Sequence, residues 1–317
     1  MSLADDLAKY MDNHGHAAIT PRAAEVVIVG ERHQHLRFGG FGEFRTVAVR
    51  RVVSELLIDQ RFRYFGNESF MNAGPARQAV RDYWLRHRLP PDFDLHASGV
   101  DAMDREKVVA QVMPRRFQPI LDDLRASKRY VLAIGTRAGG VSARDHGLAR
   151  HFFEEIADRR IAPGTPGVLL LGAAHAAAKP FFLRQTTTRM LLEQRGHDCV
   201  SILLMTDVVG DPDDPLNEDD AVYPLASGNS SVNKNRFAGG LPNTSSIVLS
   251  ALTAKPRAFF STPGHYPPFG LRMTNKPRIF LNTRLPGSPF FQVREPHSDS
   301  GYSIADCYEY LVLVTGF

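Results

Sequence analysis

Cysteine, tryptophan and long hydrophobic runs are all scarce in this 317-residue sequence. It has two cysteines, Cys199 and Cys307, and one tryptophan, so no disulfide framework is implied and we expect two buried thiols in a reducing compartment. No stretch approaches the roughly 18 apolar residues that a transmembrane helix needs. The amino terminus has neither the basic start nor the apolar run of a signal peptide. We therefore expect a cytoplasmic protein with no membrane partner.

Lysine is also scarce, because arginine supplies 31 of the 38 basic residues. The formal net charge of +4 arises in residues 1–160, which carry 25 basic and 21 acidic residues, whereas residues 161–317 carry 13 of each. Since no dense basic run is present, this surplus does not indicate a nucleic-acid partner. The apolar fraction of 43 % indicates a folded protein with a sizeable core.

Short apolar runs that each end at a loop predict buried parallel strands. Segments with one apolar face lie between them and predict helices, most clearly at 43–60, 75–88 and 143–159. Strands that alternate with helices form a parallel sheet with right-handed crossovers. We therefore predict a three-layer α/β fold with a mainly parallel central sheet flanked by helices. Its strands are expected at 25–30, 62–69, 130–135, 167–172 and 200–205.

The last third of the sequence has a different composition. Residues 206–245 are acidic and rich in glycine, proline, asparagine and serine, which is typical of a solvated loop. Short strands are expected near 247–252, 278–282 and 310–314. We predict one α/β domain over residues 1–317, with a core at about 20–205 that holds the site. Residues 206–317 would then form an acidic loop and an irregular, strand- and loop-rich C-terminal extension or cap.

Two predicted strands end in the same pattern, a glycine followed three residues later by a histidine. Glu31 and His33 follow the first strand, with His35 as a second candidate in the same loop, and His175 follows the strand at 167–172. In parallel sheets, ligands bind beyond the carboxyl ends of the strands. We therefore expect these side chains to share one edge of the sheet.

A carboxylate and a guanidinium are predicted at the same edge. Glu68 closes the second strand, and Arg144 lies near the start of a helix on the same side as Leu148. Because Leu148 must face the sheet, Arg144 is expected to point inward, where it needs an anionic partner such as Glu31, Glu68 or a substrate oxyanion. A buried ion pair with no chemistry is the alternative.

The start of this helix also has the spacing of a capping box. Ser142 would accept a hydrogen bond at the helix start, and Asp145 lies three residues later. Asp145 is therefore a secondary site candidate beside Arg144.

These motifs together resemble the erythromycin-esterase/ChaN-like superfamily, which is related to the TraB/Tiki metalloproteases. The resemblance rests on the two Gly-x-x-His strand ends, the Gly-Glu-x-His form of the first, the strand-terminal glutamate and the Arg-Asp helix start. It covers roughly residues 25–205, and the Ser-Ile-Ala-Asp segment at 303–306 is similar to the ending of the esterase branch. The residues that match the motifs are Glu31, His33, Glu68, Arg144 and His175. The esterase branch has an extra residue before its histidine, so either His33 or His35 occupies that role.

The resemblance implies macrolide-lactone hydrolysis in some members, metal-dependent peptide cleavage in others and haem binding in ChaN-like proteins. We predict a hydrolase that cleaves an ester, lactone or amide bond in a small-molecule or peptide substrate. His33 would act as general base on a water molecule, assisted by Glu31 or Glu68. Arg144 and His175 would stabilise the oxyanion.

Two other interpretations stay open at this stage. His33, His175 and Glu68 are a set of two imidazoles and one carboxylate that a divalent metal ion could use as ligands. Alternatively, the protein binds haem or another small ligand without catalysis, with Tyr64 or His35 near the haem, although no c-type haem attachment motif is present. The sequence does not indicate an oligomeric state.

Overall fold

The structure is a computed structural model that describes residues 24–31, 52–53, 56–57, 59–72, 77, 124, 126–136, 139–180, 186–205, 279–292 and 301–313. Its centre is a seven-stranded sheet with the strand order β3-β2-β4-β1-β5-β7-β6. The strands are β1 Val26–Glu31, β2 Tyr64–Met71, β3 Tyr130–Gly135, β4 Gly167–Gly172, β5 Cys199–Met205, β6 Ile279–Asn282 and β7 Tyr310–Leu313. All neighbours pair in parallel except β6, which is antiparallel to β7 at the sheet edge.

The helices with defined bounds connect these strands. They are α1 Val141–Asp158, α2 Ala173–Ala176, α3 Thr188–Gln194 and α4 Ile304–Cys307, with a 3-10 turn at Pro289–Phe291. The predicted three-layer α/β fold with a mainly parallel sheet is confirmed. The strands expected at 247–252 and the acidic loop at 206–245 lie outside the described residues, and the division into core and C-terminal extension stays a prediction.

Two apolar clusters cover the two faces of the sheet. Side chains alternate along each strand, so Val26 and Ile28 of β1 face one side while Val27 and Val29 face the other. The first side is covered by α1, α2 and α3. The second side is covered by Val52, Val53, Leu56 and Leu57, which show the apolar spacing predicted for the helix at 43–60, and by Leu124.

The two cysteines, Cys199 and Cys307, are buried free thiols, as predicted. Among the residues that the structure describes, none lies in a helix long and apolar enough to cross a membrane.

The start of α1 differs from the prediction. Its N-cap is Gly140, with φ of 85° and no side-chain capping bond, so Ser142 lies inside the helix. The predicted capping box at Ser142 and Asp145 is therefore wrong. Glycine accepts this left-handed φ without a Cβ clash, and the chain enters the helix two residues earlier. Asp145 lies on the same face of the helix as the buried Leu148 and Phe152, three and seven residues later. It is therefore turned towards the core, where it contacts α2 and α3.

Candidate functional site

The carboxyl ends of β1, β4 and β2 lie side by side in the middle of the sheet. Glu31, the last residue of β1, is in register with Gly172 at the end of β4. On the other side of β4, Asn67 of β2 is in register with Leu170. Since neighbouring strands are about 4.8 Å apart, Glu31 and Glu68 flank the point where β4 leads into α2. This is the edge at which ligands bind in open α/β sheets.

Glu68 is directed into this edge by an irregularity in β2. The register of β2 with β3 shifts between Asn67 and Met71, and such a bulge changes the direction of the side chains within it. Gly135 of β3 permits the close approach, because a Cβ there would lie 2.5 Å from the Glu68 carbonyl oxygen. Glu68 is 5 % exposed, and its Oε2 accepts a hydrogen bond of 2.8 Å from the Gly172 N–H.

The short helix α2 carries His175 and packs tightly on β1. A Cβ at Gly30 would lie 2.9 Å from the Ala176 Cβ and 3.2 Å from the Ala173 Cα. Only a glycine facing two alanines allows this approach, which accounts for the small residues around the second histidine motif. The imidazole of His175 is thereby placed beside the Gly172 end of β4, and it is 3 % exposed.

Asp145 of α1 holds one nitrogen of this imidazole. Its Oδ1 lies 2.7 Å from His175 Nδ1, and it also accepts hydrogen bonds from the Thr188 N–H at 2.7 Å and the Thr188 hydroxyl at 2.8 Å. Asp145 has no exposed surface. An ionised carboxylate can only accept a hydrogen bond, so the hydrogen atom between the two groups belongs to Nδ1. In the neutral imidazole, Nε2 then carries the lone pair and can accept a proton.

The other nitrogen of His175 is directed towards Glu68. His175 Nε2 lies 3.9 Å from Glu68 Oε2, which is too long for a direct hydrogen bond. A water or substrate oxygen beside this gap would be within reach of both groups. Asp145, His175 and Glu68 therefore form a buried series of acid, base and acid at the ligand edge.

Arg144 approaches the same carboxylate from the rim. Its Nη2 lies 3.7 Å from Glu68 Oε1, while its side chain is 44 % exposed. Glu68 is one of the two protein partners expected for it, but the fully inward residue at the start of α1 is Asp145 rather than Arg144. One residue along a helix corresponds to a rotation of about 100°, and the solvated position spares the guanidinium the cost of burial. The Nε of Arg144 has no hydrogen-bond partner among the described residues.

The remaining predicted site residues are placed as follows. Glu31 is half-buried at the end of β1, whereas His33 and His35 lie outside the described residues. The structure thus brings Glu68, Arg144, Asp145 and His175 together, and it places the backbone of Glu31 next to them.

The suggested metal ligands fit in part. His175 Nε2 and Glu68 Oε2 are atoms of the type that zinc ions take as ligands. The third suggested ligand, His33, lies outside the described residues. Within the part of the chain that the structure describes, no group of three or more His, Cys, Asp or Glu is arranged to hold a metal ion.

Tyr64 does not have the position expected of a haem ligand. It is the first residue of β2 and lies at the opposite end of that strand from Glu68, buried against the Phe152 ring at 5.9 Å. Burial, with smaller contributions from Glu25 and Cys199, raises the pKa of its hydroxyl. The expectation of Tyr64 beside a haem is therefore wrong, because the aromatic strand places this ring in the core.

One residue of the site was not predicted. Thr188, which is buried, donates twice to Asp145 although the two are 43 residues apart in the sequence. Consecutive threonines before a short helix indicate an N-cap, and Thr187 does cap α3. The contact with Asp145 depends on the packing of α1 against α3 and has no local signal.

No family model and no curated protein matches the sequence. Among solved structures, it is similar to RRSP, a MARTX toxin effector domain from Vibrio vulnificus, with 13 % identity and a TM-score of 0.31 over 64 % of this chain and 36 % of that one. It is also similar to a succinoglycan biosynthesis protein, with 12 % identity, a TM-score of 0.36 and coverage of 65 % and 76 %. A Bacillus cereus protein has 11 % identity, a TM-score of 0.35 and coverage of 98 % and 97 %. The chain spans less than two fifths of the toxin structures, and likeness at this level assigns neither family nor activity.

Proposed function

We propose that the protein is a hydrolase that activates water for attack on an ester, lactone or amide carbonyl. The observation that carries this proposal is the His175–Asp145 hydrogen bond of 2.7 Å, with His175 Nε2 directed at Glu68 on the ligand edge of the sheet. A carboxylate behind an imidazole selects the tautomer that can accept a proton and stabilises the imidazolium that forms. The motif resemblance supports membership of the erythromycin-esterase/ChaN-like superfamily as part of the same proposal.

His175 is the general base in this proposal, because its geometry is described. His33, the base expected from the sequence, lies outside the described residues and stays a prediction. His175 takes a proton from water at Nε2 while the water oxygen attacks the carbonyl carbon. The resulting oxyanion is stabilised by the half-exposed Arg144 guanidinium. The protonated His175 then donates its proton to the leaving alcohol or amine, which restores the neutral ring. Glu68 orients the water from the other side.

A metal-assisted form of the same reaction is the second candidate. Metal-bound histidines commonly donate their other ring N–H to a carboxylate, which is the relation between His175 and Asp145. A divalent ion held by His175, Glu68 and His33 would supply an acidic bound water. The haem alternative loses Tyr64, which lies in the core, and its other candidate, His35, lies outside the described residues.

The hydrolase proposal is tested with a panel of aryl esters, lactones and fluorogenic peptides. We expect His175→Asn and Glu68→Gln each to lower kcat/KM on the accepted substrate by about 10²- to 10⁴-fold, the usual contribution of general acid–base groups. His197→Asn is the matched control. His197 also bonds a carboxylate, Glu25 at 2.9 Å, but it does so beside the first residues of β1 and β5, at the opposite end of the sheet.

The control variant should keep its activity to within a few-fold. Unchanged turnover in both folded His175→Asn and Glu68→Gln would overturn the mechanism. Metal analysis of protein purified without chelator, followed by activity assays after chelation, separates the metal-assisted form from the metal-free one.

A further inference from the structure

The first residues of α3 are linked to both partners of the Asp145–His175 pair. Thr187 donates its hydroxyl to the Ala177 carbonyl at 2.6 Å, directly after the helix that carries His175. The next residue, Thr188, donates its N–H and its hydroxyl to Asp145 Oδ1. The side chains of Thr187 and Thr188 therefore bond two different groups to the start of α3. Thr187 bonds the end of α2, and Thr188 bonds the Asp145 carboxylate.

The contacts of Thr188 are shielded from solvent. Thr188 is 1 % exposed and Asp145 is 0 % exposed, so bulk water cannot replace a donor that is lost. A buried carboxylate needs hydrogen-bond donors to offset its desolvation. Thr188 supplies two donors to Oδ1, and His175 Nδ1 supplies another.

We propose that Thr188 is a positioning residue, whose hydroxyl sets where Asp145 Oδ1 lies and thereby holds the imidazole of His175 in its orientation and tautomer. Two donors from one residue, the N–H and the hydroxyl, fix the position of the oxygen more closely than the N–H alone. His175 Nδ1–H then has a well-placed acceptor. This role has catalytic meaning only if the proposed hydrolase function is right, but its effect on the ring is measurable without any substrate.

Two substitutions at position 188 separate the hydroxyl from the shape of the side chain. Thr188→Val replaces the hydroxyl with a methyl group, which cannot stay 2.8 Å from an oxygen because ordinary carbon–oxygen contacts are about 3.3 Å or longer. Asp145 Oδ1 must therefore move away. Thr188→Ser keeps the hydroxyl and is the conservative rescue. Thr186→Val is the matched control, since the Thr186 hydroxyl bonds the neighbouring Thr187 carbonyl at 3.2 Å.

The ring of His175 is followed by proton–nitrogen correlation spectra of the full chain labelled with ¹⁵N-histidine, with its signals assigned through His175→Asn. In the wild type we expect a protonated Nδ1 with a slowly exchanging proton and an unprotonated Nε2. Thr188→Val should lose the slowly exchanging Nδ1 proton and shift the tautomer ratio by about five-fold or more, the effect of losing one ordinary hydrogen bond. Thr188→Ser and Thr186→Val should keep the wild-type signals.

An unchanged His175 spectrum in folded Thr188→Val would overturn the positioning role. If that variant does not fold, the wild type itself provides the test. The His175 Nδ1 proton and the Thr188 amide proton should show a nuclear Overhauser contact, because both point at Asp145 Oδ1, and absence of this contact would contradict the proposal. A protein that passes these tests yet hydrolyses nothing in the substrate panel would retain the positioning role and lose the hydrolase function.

Discussion

The chemistry of single residues at this site depends on burial and on hydrogen-bond direction. The Asp145 carboxylate has no exposed surface, and three donors converge on its Oδ1. Charge-assisted hydrogen bonds are about twice as strong as neutral ones, so the ion is tolerated in the core. Its negative charge can then stabilise a positive charge on His175, which is the property that the proposed mechanism uses.

Asp145→Asn tests the charge separately from the geometry. Thr188 offers two donors, so the oxygen of the new amide is expected to take the place of Oδ1 and to keep the acceptor for His175 Nδ1. We expect folding to be preserved and kcat on the accepted substrate to fall by about 10- to 100-fold, because the imidazolium loses its charged partner. Full activity in this variant would show that the charge is not needed. Steady-state kinetics and near-ultraviolet circular dichroism provide the measurements.

At the scale of elements, the site depends on how closely α2 packs against β1. The helix has four residues, too few to be stable by itself, so contacts with the sheet determine its position. Side-chain hydroxyls also bond its carbonyls: Tyr308 to Ala173 at 3.1 Å, and Ser201 to Ala176 at 2.5 Å. The orientation of His175 is therefore a consequence of packing from several segments.

Gly30→Ala should displace α2. The added Cβ would lie 2.9 Å from the Ala176 Cβ, and such overpacking costs about 1–3 kcal/mol. We expect the free energy of unfolding in urea to fall by that amount, and kcat to fall with it because His175 moves. Gly139→Ala is the matched control, since a Cβ there meets nothing within 4 Å. Equal stability of the two variants would refute the tight packing of α2 on β1.

At the scale of the whole molecule, distant parts of the sequence complete one sheet. β7 lies between β5 and β6, so the last described residues are inside the sheet rather than beside it. Arg189 of α3 bonds both Glu309 oxygens, at 2.6 and 2.8 Å, and the Cys199 carbonyl at 3.2 Å. These bonds connect α3 to β5 and to the start of β7. The helix α3, whose Thr188 bonds Asp145, is therefore itself bonded to the C-terminal segment.

Global stability should decrease at alkaline pH. Burial raises the pKa of the Cys199 thiol and of the Tyr64 hydroxyl above their ordinary values of 9.0 and 10.0. Below these pH values, both groups are protonated in the folded protein and in the unfolded chain, so the free energy of unfolding keeps its full value. As the pH rises above about 9, only the unfolded chain loses these protons, so the free energy of unfolding falls. Each of the two groups contributes up to about 1.4 kcal/mol per pH unit once it titrates.

Tyr64→Phe isolates one of these two groups. Removing the hydroxyl should reduce the alkaline slope above pH 10 by up to about 1.4 kcal/mol per pH unit, because one fewer group titrates only in the unfolded chain. Urea unfolding between pH 7 and pH 11 measures this slope. An identical pH dependence in the wild type and Tyr64→Phe would contradict the burial of an un-ionised hydroxyl.

The sequence by itself determined the elements of the fold. Apolar runs such as Val26 to Gly30 and Gly167–Gly172 predicted buried strands to within a few residues, since burial on both faces leaves a continuous apolar pattern. The rule that ligands bind at the carboxyl ends of parallel strands then placed Glu68 and His175 at one edge. These features follow from the apolar periodicity of short segments, which is visible in the sequence, and from general rules of sheet topology.

Only the tertiary structure decided how the side chains of the site are paired. The sequence indicated an inward Arg144 and a capping role for Asp145, whereas the structure turns Asp145 into the core and leaves Arg144 half-exposed. The cause is the phase of the helix: Asp145 lies three residues before the buried Leu148, on the same face, whereas Arg144 lies one residue off that face. The partners of Asp145 are His175 and Thr188, from two other helices. Such contacts depend on distances between helices, and no local pattern of residues encodes them.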